Sequence, residues 1–327
     1  MAETPQLTLA LNCYKVERFV AEAVEGAFAQ TFRPLEIVIS DDCSPDGTWG
    51  RVLDMVASHF PALPLDRDTH QQILHPSDDL TLVLNRNERN LGLARHQNRI
   101  FELSHGDWIA FQAGDDVSLP TRMGEIARRV AANADIRCLH CETELIDAEG
   151  RPFQIAKDFR ERAKGKGSGL PMILGAGAVY HRDVYWKFGP LGPKAGNEDQ
   201  VLPLRASLLG TIERIPLPLV RYRQHGGNDS GCFSLTRETA AHYRLKIIHT
   251  YYQELDDLHT AEEQGIGTTR SSIAVYRKLI KRDMVVQWAL GHWVLHPHMR
   301  GRIVRRFLSS PSWWWLFANR FLHRVLP

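Results

Sequence analysis

At 327 residues, with 43% hydrophobic side chains and a net charge of +2, the chain has the composition of a globular protein of one large or two ordinary domains. The near-neutral balance gives no reason to expect a nucleic-acid partner, and five cysteines, an odd number, indicate a reducing compartment. Met1–Gln6 lacks the features of a secretory signal, and no run of about 18 apolar residues could span a bilayer. We therefore expect a cytoplasmic protein.

The charge is unevenly distributed along the chain. Between Tyr276 and Pro327 ten Lys and Arg residues accompany one acid, Asp283, which leaves 30 basic and 37 acidic residues in the part before it. Five of the eight tryptophans also lie in this segment. The sequence therefore combines a mildly acidic body with a basic, aromatic tail.

Short apolar segments alternate with helical patterns in the first third of the chain. The predicted strands are Leu7–Leu11, Leu35–Ile39, Leu80–Leu84 and Trp108–Phe111. Amphipathic helices are predicted at 17–30, around 52–56 and at 93–104, whereas the polar stretch 61–79 is predicted to be a loop or small insertion. This alternation predicts an α/β fold with a doubly wound parallel sheet, whose right-handed crossovers place all strand ends on one side.

Polar residues follow three of these strands and are expected to meet at that edge, where open α/β sheets bind ligands. They are Asn12–Tyr14, Asp41–Asp46 and Asp115–Asp116. Neither GxGxxG nor GxxxxGK[ST] occurs at these turns, so a phosphate ligand would need a metal ion held by acids instead. The alternative for Asp115 and Asp116 is a solvated turn that caps a helix beginning near Pro120.

The second half of the chain continues the pattern more loosely. Its predicted elements are a helix around Met123–Val130, a strand at Ile136–Leu145, a charged loop at Lys157–Gly169, a small-residue strand at Gly175–His181, a helix beginning near Asp199, a strand at Leu217–Tyr222, and helices from Phe233 onward. Asp199 has helix capping as its alternative role. His225 is alternatively a buried or capping histidine.

Three signatures, in this order, resemble the family 2 inverting glycosyltransferases of the GT-A fold, over about residues 6 to 230. They are Tyr14 followed by Asp41-Asp42-x-Ser44-x-Asp46-Gly47-Thr48; Asn90-x-Gly92 with Gly106-Asp107 and Asp115-Asp116-x-x-x-Pro120; and Glu198-Asp199 followed by the Tyr-Arg-x-His stretch that ends at His225.

The resemblance implies a GT-A type α/β fold, with a mostly parallel sheet flanked by helices and a C-terminal helical extension. It predicts a catalytic domain at 1–230, in which about 1–118 bind the nucleotide-sugar and 119–230 form the acceptor side. A helical, basic and aromatic region at 231–327 follows.

The resemblance also implies roles for single residues. The residues expected to bind the nucleotide-sugar are Asn12, Tyr14, Asp42, Gly92, Arg95 and Asp115, with Asp115 near the ribose. Asp116 is expected to bind Mn²⁺ or Mg²⁺, with His225 as a second ligand or a diphosphate contact. Asp199 is the expected catalytic base, and Glu198 is expected on the acceptor side. Three positions depart from the family pattern: Asn12 replaces Pro or Thr, Ala113 replaces an acid, and Gln97 replaces an Arg for which Arg95 is a possible substitute.

The function implied is metal-dependent, inverting transfer of a sugar from a nucleotide-diphospho-sugar, with a UDP-sugar as the expected donor. The acceptor would be a hydroxyl of a glycan or lipid-linked acceptor in cell-surface polysaccharide synthesis. One alternative is a sugar nucleotidyltransferase, which usually carries a Gly-rich basic loop where this chain has Asn12–Lys15. The other is an inactive GT-A-like binding module, although Asp116 and Asp199 are both present.

The tail is predicted to contact an anionic membrane surface on the cytoplasmic face without spanning the bilayer. Tryptophan favours the headgroup zone, and basic residues are attracted to anionic lipids. Two alternatives are open: the tail packs on the catalytic domain, or it forms an interface with a partner protein.

Overall fold

The computed structural model describes residues 6–156, 170–196, 198–226, 236–266 and 270–308. These residues fall into two compact units. Unit 1 contains 6–156, 171–193 and 198–226, and unit 2 contains 170, 194–196, 236–266 and 270–308. The units therefore separate near residue 226, close to the predicted boundary at 230, while the functional division of the chain stays a prediction.

Unit 1 is built on one ten-stranded sheet. Its strands are β1 (Leu7–Cys13), β2 (Leu35–Asp41), β3 (Gln71–Ser77), β4 (Leu80–Arg86), β5 (Trp108–Ala113), β6 (Val117–Ser118), β7 (Ile136–Ile146), β8 (Pro152–Ala156), β9 (Ala178–His181) and β10 (Thr211–Arg223). Its helices are α1 (Val20–Phe28), α2 (Thr48–His59), α3 (Leu93–Leu103), α4 (Arg122–Ala132), α5 (Asp183–Trp186) and α6 (Glu198–Leu209).

The strand order is β3-β4-β2-β1-β5-β9-β7-β10-β6, with β8 paired to β7. The neighbours β4, β2, β1 and β5 are all parallel, as the alternation of strands and helices predicts. Beyond β5 the sheet becomes mixed, because β9 runs antiparallel between β5 and β7. The second half of the chain thus extends the sheet by mixed pairing, because β10 runs parallel to β7 whereas β6, β8 and β9 pair antiparallel with their neighbours.

Helices cover both faces of the sheet because side chains alternate along each central strand. Leu9 and Leu11 of β1 pack into a core with α1, α2 and α4, while Ala10 packs into a second core with α3, α5 and α6. Residues Leu9 to Leu11 have no solvent exposure at all. Burying one such leucine contributes roughly 1.5–3 kcal/mol, so burial of β1 between the two helical layers stabilises this part of the sheet strongly.

Three local predictions differ from the structure. The stretch 61–79 contains the edge strand β3, which pairs antiparallel with β4. Its burial alternates, but its residue types do not, because Ile73 is exposed and the polar Gln72 faces inward with Leu74, so the sequence shows no strand pattern. Gly175–Gly177 forms a 3₁₀ turn, and only Ala178–His181 is strand. The last strand, β10, is 13 residues long, with two prolines at irregular positions of its pairing with β7.

Unit 2 is helical in its described part. It contains α7 (Arg237–Lys246), α8 (Ile248–Gln264), α9 (Arg270–Leu295) and α10 (Arg300–Leu308). Val286 and Leu290 of α9 pack on Ile303 and Phe307 of α10 in a small apolar core. Much of the predicted tail is therefore part of a helical core, whereas Trp313–Trp315, Arg320 and Arg324 lie outside the described residues.

Candidate functional site

The carboxyl ends of β1, β2 and β5 meet at one edge of the sheet. In the strand register Asn12 lies beside Ser40 of β2 and beside Ala113 of β5, and Cys13 lies beside Asp41. The predicted convergence of the three polar turns follows from this register, because each turn begins where its strand ends. We call this edge the rim.

The turn after β2 is built by its own polar side chains. The Asp41 carboxylate accepts hydrogen bonds from the Ser44 amide, at 3.0 Å, and from the Ser44 hydroxyl, at 2.5 Å. Asp46 accepts one from the Thr48 hydroxyl at 2.6 Å, at the start of α2. Burial raises the pKa of Asp41. Asp41, Ser44, Asp46 and Thr48 therefore shape the turn, which explains why the signature requires small polar residues at this spacing.

The same turn is joined to the turn after β1. The Lys15 amide donates to the Ser44 hydroxyl at 3.0 Å, and the Val16 amide donates to the Thr48 hydroxyl at 3.0 Å. Tyr14 remains 40% exposed at the rim, and beside it lies a cavity of about 430 Å³. The cavity is lined by residues 15–19 together with Asp46 and Arg51. Tyr14 is thus exposed where a ligand could contact it, while its role in binding the base stays a prediction.

Asp42 has a different environment from Asp41. Its carboxylate accepts hydrogen bonds from the Asn87 side chain at 2.8 Å and from the amides of Leu91 and Gly92 at 2.8 and 2.9 Å. Gly92 has φ of +76°, a conformation that favours glycine, and it immediately precedes α3. Three of about four acceptor positions of this carboxylate are occupied, so one remains for a ligand donor.

A buried polar network lies behind Asp42. The Ser40 hydroxyl contacts His96 Nε2 at 2.8 Å and accepts from the Asn85 amide at 2.9 Å, and Asn85 also donates to Asn87 at 3.0 Å. Burial lowers the pKa of His96 to about 4, so its imidazole is neutral near pH 7. Sequence reasoning missed this network; its only signal is the polar pair Asn85 and Asn87 at the end of an apolar strand.

Asp115 and Asp116 are adjacent in the chain but differ in environment. Asp116 has no solvent exposure, and its Oδ1 accepts from the Arg223 amide at 2.9 Å. Burial, with the neighbouring charge of Asp115, raises the pKa of Asp116. The Asp115 side chain is 14% exposed, and its Oδ2 lies 2.9 Å from His225 Nε2. The Oδ2 atom of Asp116 has no hydrogen-bond partner within the described residues, so both acids keep a carboxylate oxygen for an ion. The assignment of the metal to Asp116 stays a prediction, and the exposure of Asp115 makes Asp115 the alternative ligand.

Arg223 holds both acids in place, and sequence reasoning did not single it out. Its guanidinium is fully buried; Nε donates to the Asp115 carbonyl at 2.9 Å, and Nη2 donates to Glu22 of α1 at 2.7 Å. Nη1 donates to the carbonyls of Asp147 and Ala148 at 3.3 Å. One side chain therefore ties the acid turn to α1 and to the turn after β7.

Phe19 completes this arrangement. The Arg223 guanidinium lies 4.9 Å from the centre of the Phe19 ring, and the His225 ring lies 4.7 Å from it. Alternation along β10 puts Arg223 and His225 on the same side of the strand's end. The sequence signal that could have indicated this arrangement is the spacing of Arg223 two residues before His225.

Asp199 lies in the first turn of α6, next to the Gly175–Gly177 turn. A β-carbon on Gly175 would lie 3.7 Å from Asp199 Cβ, and the Asp199 carbonyl accepts from the Ile173 amide at 3.3 Å. Because β9 follows this turn and runs antiparallel to β5, the turn lies towards the Asp115 end of the sheet. Burial raises the pKa of Asp199 to about 6. Glu198 precedes it and is partly exposed.

Arg95 and Gln97 on α3, which concern the arginine expected from the family pattern, differ in exposure. Arg95 is exposed near the start of the helix, whereas Gln97 is buried, and its Oε1 has no hydrogen-bond partner within the described part of the chain. Asn98 binds both backbone groups of Leu191, at 2.9 and 2.8 Å. Of the two, Arg95 is the one that a ligand could reach.

In the described residues no three His, Cys, Asp or Glu side chains form a cluster that could hold a metal by itself. Within the same residues, no helix is long and apolar enough to cross a membrane. A metal at the rim would therefore need ligands from a bound substrate or from water as well.

Solved structures of sugar transferases share this fold. The mannosyltransferase PcManGT from Pyrobaculum calidifontis, in complex with GDP-Man and Mn²⁺, aligns with a TM-score of 0.52 at 15% identity, over 96% of this chain and 83% of that one. TarS 1–349 of S. aureus, in complex with UDP-GlcNAc, aligns with a TM-score of 0.52 at 13% identity, over 88% and 80%. The predicted fold class, GT-A with additional C-terminal helices, is confirmed.

The sequence identifies the family. The sequence model of glycosyl transferase family 2 matches residues 8–189, more than half of the chain. The putative glycosyltransferase EpsE of Bacillus subtilis is 31% identical over 123 residues, which cover 38% of this chain and 37% of EpsE. The chain thus aligns with little more than a third of that relative. It belongs to glycosyl transferase family 2, as its signatures predict.

Proposed function

We propose that this chain transfers a sugar from a nucleotide-diphospho-sugar to an acceptor hydroxyl, with inversion at the anomeric carbon. The observation that carries the proposal is the Asp115–His225 pair, 2.9 Å apart at the end of the central strands and partly exposed. The donor would lie along the rim, with its base near Tyr14 and Asp42 and its diphosphate near Asp115. Family membership supports this reading.

The donor we propose is a UDP-sugar. The free acceptor position of Asp42 suits the imide N–H of a uracil ring, and exposed Tyr14 offers an aromatic face. Arg95 at the start of α3 would contact the phosphate side. Asn12 lies between β2 and β5 at the rim and would contact the nucleoside.

The rim also fits a divalent ion. A carboxylate oxygen is the donor that Mn²⁺ and Mg²⁺ prefer, so Asp115 and His225 would hold the ion together with oxygens of the bound diphosphate and water. A bound ion would neutralise charge on the leaving diphosphate as a Lewis acid. Arg223 would keep Asp115 and His225 in position, and Asp116 would hold the strand end through the Arg223 amide.

Asp199 would act as the general base. Its raised pKa, about 6, keeps it ionised near neutral pH while making it a stronger proton acceptor than an exposed aspartate. The acceptor hydroxyl would give its proton to Asp199 as its oxygen attacks the anomeric carbon. With one base and no covalent nucleophile, the displacement is single and in line, which inverts the centre. Glu198 would face the acceptor.

The acceptor we propose is a hydroxyl of a glycan or lipid-linked acceptor, presented at an anionic membrane surface on the cytoplasmic side. The composition of the tail supports this: α10 carries four arginines and no acid, and the Trp313–Trp315 run follows. The charged loop Lys157–Gly169, outside the described residues, is a candidate acceptor contact by sequence alone.

The test is nucleotide release from UDP-, GDP- and dTDP-sugars, with and without Mn²⁺, together with the anomeric configuration of the product by NMR. We expect metal-stimulated UDP release and an inverted product. Pyrophosphate release from a nucleoside triphosphate and a sugar phosphate would identify a nucleotidyltransferase instead. Nucleotide-sugar binding without release, across a set of glycan and lipid-linked acceptors, would indicate an inactive binding module.

A further inference from the structure

Unit 2 contains a cavity between three of its helices. Its volume is about 330 Å³, at the lower end of the range of small-ligand sites, roughly 300–1,000 Å³. The lining residues come from α8, α9 and α10; they are Ile248, Tyr252, Met284, Val285, Trp288, Arg302 and Arg306. A volume of this size fits one hydrocarbon chain better than a folded, drug-sized ligand.

The lining is apolar except along one helix. Ile248, Met284 and Val285 are aliphatic or thioether side chains, whereas Arg302 and Arg306 are exposed guanidinium groups one helical turn apart on α10. Among the described residues that line the cavity there is no acid. A ligand that matches both parts would have an apolar chain and an anionic head.

The two faces of α10 explain how this arrangement forms. Ile303 and Phe307 are buried against α9, which turns the arginines of the same helix towards solvent and the cavity. The cavity edge therefore concentrates positive charge next to apolar surface.

We propose that this cavity binds one acyl chain of an anionic membrane phospholipid, with the lipid phosphate on Arg302 and Arg306. The proposal rests on the membrane contact in the proposed function and gives that contact a specific site. Tyr252 and Trp288 at the cavity have aromatic bodies with a polar tip, which suit the depth of lipid headgroups. Guanidinium groups bind phosphate oxygens as paired donors.

The first test distinguishes a specific lipid site in the cavity from non-specific electrostatic attraction to anionic vesicles. Flotation of the full-length protein with phosphatidylcholine vesicles, with or without phosphatidylglycerol, is compared between Arg302→Ala/Arg306→Ala and a matched control, Lys281→Ala/Arg305→Ala. The control removes two exposed cations of α9 and α10 that do not line the cavity. We expect the cavity pair to weaken binding at least tenfold more than the control. Equal losses in both variants would overturn the site.

The second test addresses the chain itself. Full-length protein is titrated with monomeric short-chain phosphatidylglycerol, glycerol phosphate and farnesyl phosphate, and Met284→Glu is compared with wild type. We expect phosphatidylglycerol alone to bind, with at least tenfold loss in Met284→Glu. Binding of glycerol phosphate, tighter binding of farnesyl phosphate, or no binding of any of the three would each refute the proposal. UDP affinity, measured alongside, reports separately on the donor site of unit 1.

Discussion

The rim of unit 1 and the basic helices of unit 2 use charged side chains in opposite ways. At the rim, Asp42, Asp116 and Arg223 are buried, and backbone groups hold them in fixed positions. In unit 2, Arg302 and Arg306 lie at the edge of a cavity and extend into solvent. A buried, hydrogen-bonded charge fixes the positions of the side chains around it, whereas a charge in solvent attracts oppositely charged ligands at a distance and is screened by salt. Substitutions at the rim should therefore change stability and turnover independently of salt, whereas substitutions of Arg302 and Arg306 should change vesicle binding in a salt-sensitive way.

The largest effect is expected for Asp199→Asn. An amide cannot accept the proton of the acceptor hydroxyl, so kcat should fall by about 10²–10⁴. Donor binding, measured by calorimetry with a UDP-sugar, should be unchanged. Because burial disfavours the ionised form of this side chain, the variant should also melt slightly higher at pH 7. A variant that keeps more than about a tenth of wild-type turnover would make Glu198 the next candidate for the base.

Arg223→Met tests whether the rim depends on one buried charge. Removing the guanidinium leaves Glu22 and three carbonyls without their donor, and breaking a buried charge pair typically costs about 3–5 kcal/mol of unfolding free energy. The exposed Glu22 carboxylate can be rehydrated, which places the expected loss at the lower end. Urea unfolding and metal-stimulated nucleotide release should both decline.

Arg221→Ala is the matched control for that substitution. Arg221 lies two residues earlier on the same strand and binds Glu144 at 2.9 Å on the surface, a pair worth about 0–1 kcal/mol. If both variants lose stability equally, Arg223 is not the organising residue. Arg223→Lys should recover part of the stability but little of the turnover, because lysine cannot reach all these partners in the same fork geometry.

Asp115→Asn and Asp116→Asn test the two environments of neighbouring acids. We expect Asp115→Asn to weaken Mn²⁺-dependent UDP binding about ten- to a hundredfold, since its carboxylate is the one that reaches solvent. Asp116→Asn should have little effect on UDP affinity, because an amide oxygen can still accept from the Arg223 amide. The measurement is the UDP affinity of each variant by titration calorimetry, in Mn²⁺ and in EDTA. A larger loss in Asp116→Asn than in Asp115→Asn would identify Asp116 as the metal ligand.

A change of pH is expected to have a smaller effect on kcat than these substitutions. The pKa of Asp199 is about 6, and the base must be ionised to act. The rate kcat should therefore be flat above pH 7 and fall towards a slope of tenfold per pH unit below about pH 6. Asp199→Asn should lose this limb of the profile. A wild-type rate unchanged between pH 7 and 5 would exclude Asp199 as the titrating base.

Much of the first half of the fold is legible in the sequence because its signals are local. The segments of β1, β2 and β5 are continuous apolar runs that a doubly covered parallel sheet requires, and polar residues mark their ends. The agreement is weaker for the edge strand β3 and for the second half of the chain. β3 and the long β10 owe their conformation to pairing with other strands, β4 and β7, which leaves no periodic signal in their own residues.

The site divides in the same way. The sequence alone determined which turns carry the acids and that they meet at one edge, because parallel strands joined by right-handed crossovers leave no other arrangement. Only the tertiary structure decided which of Asp115 and Asp116 faces solvent, since that depends on Arg223, more than a hundred residues away in the chain. A carboxylate becomes a ligand or a structural anchor according to which donors the fold brings to it, and those donors come from distant strands.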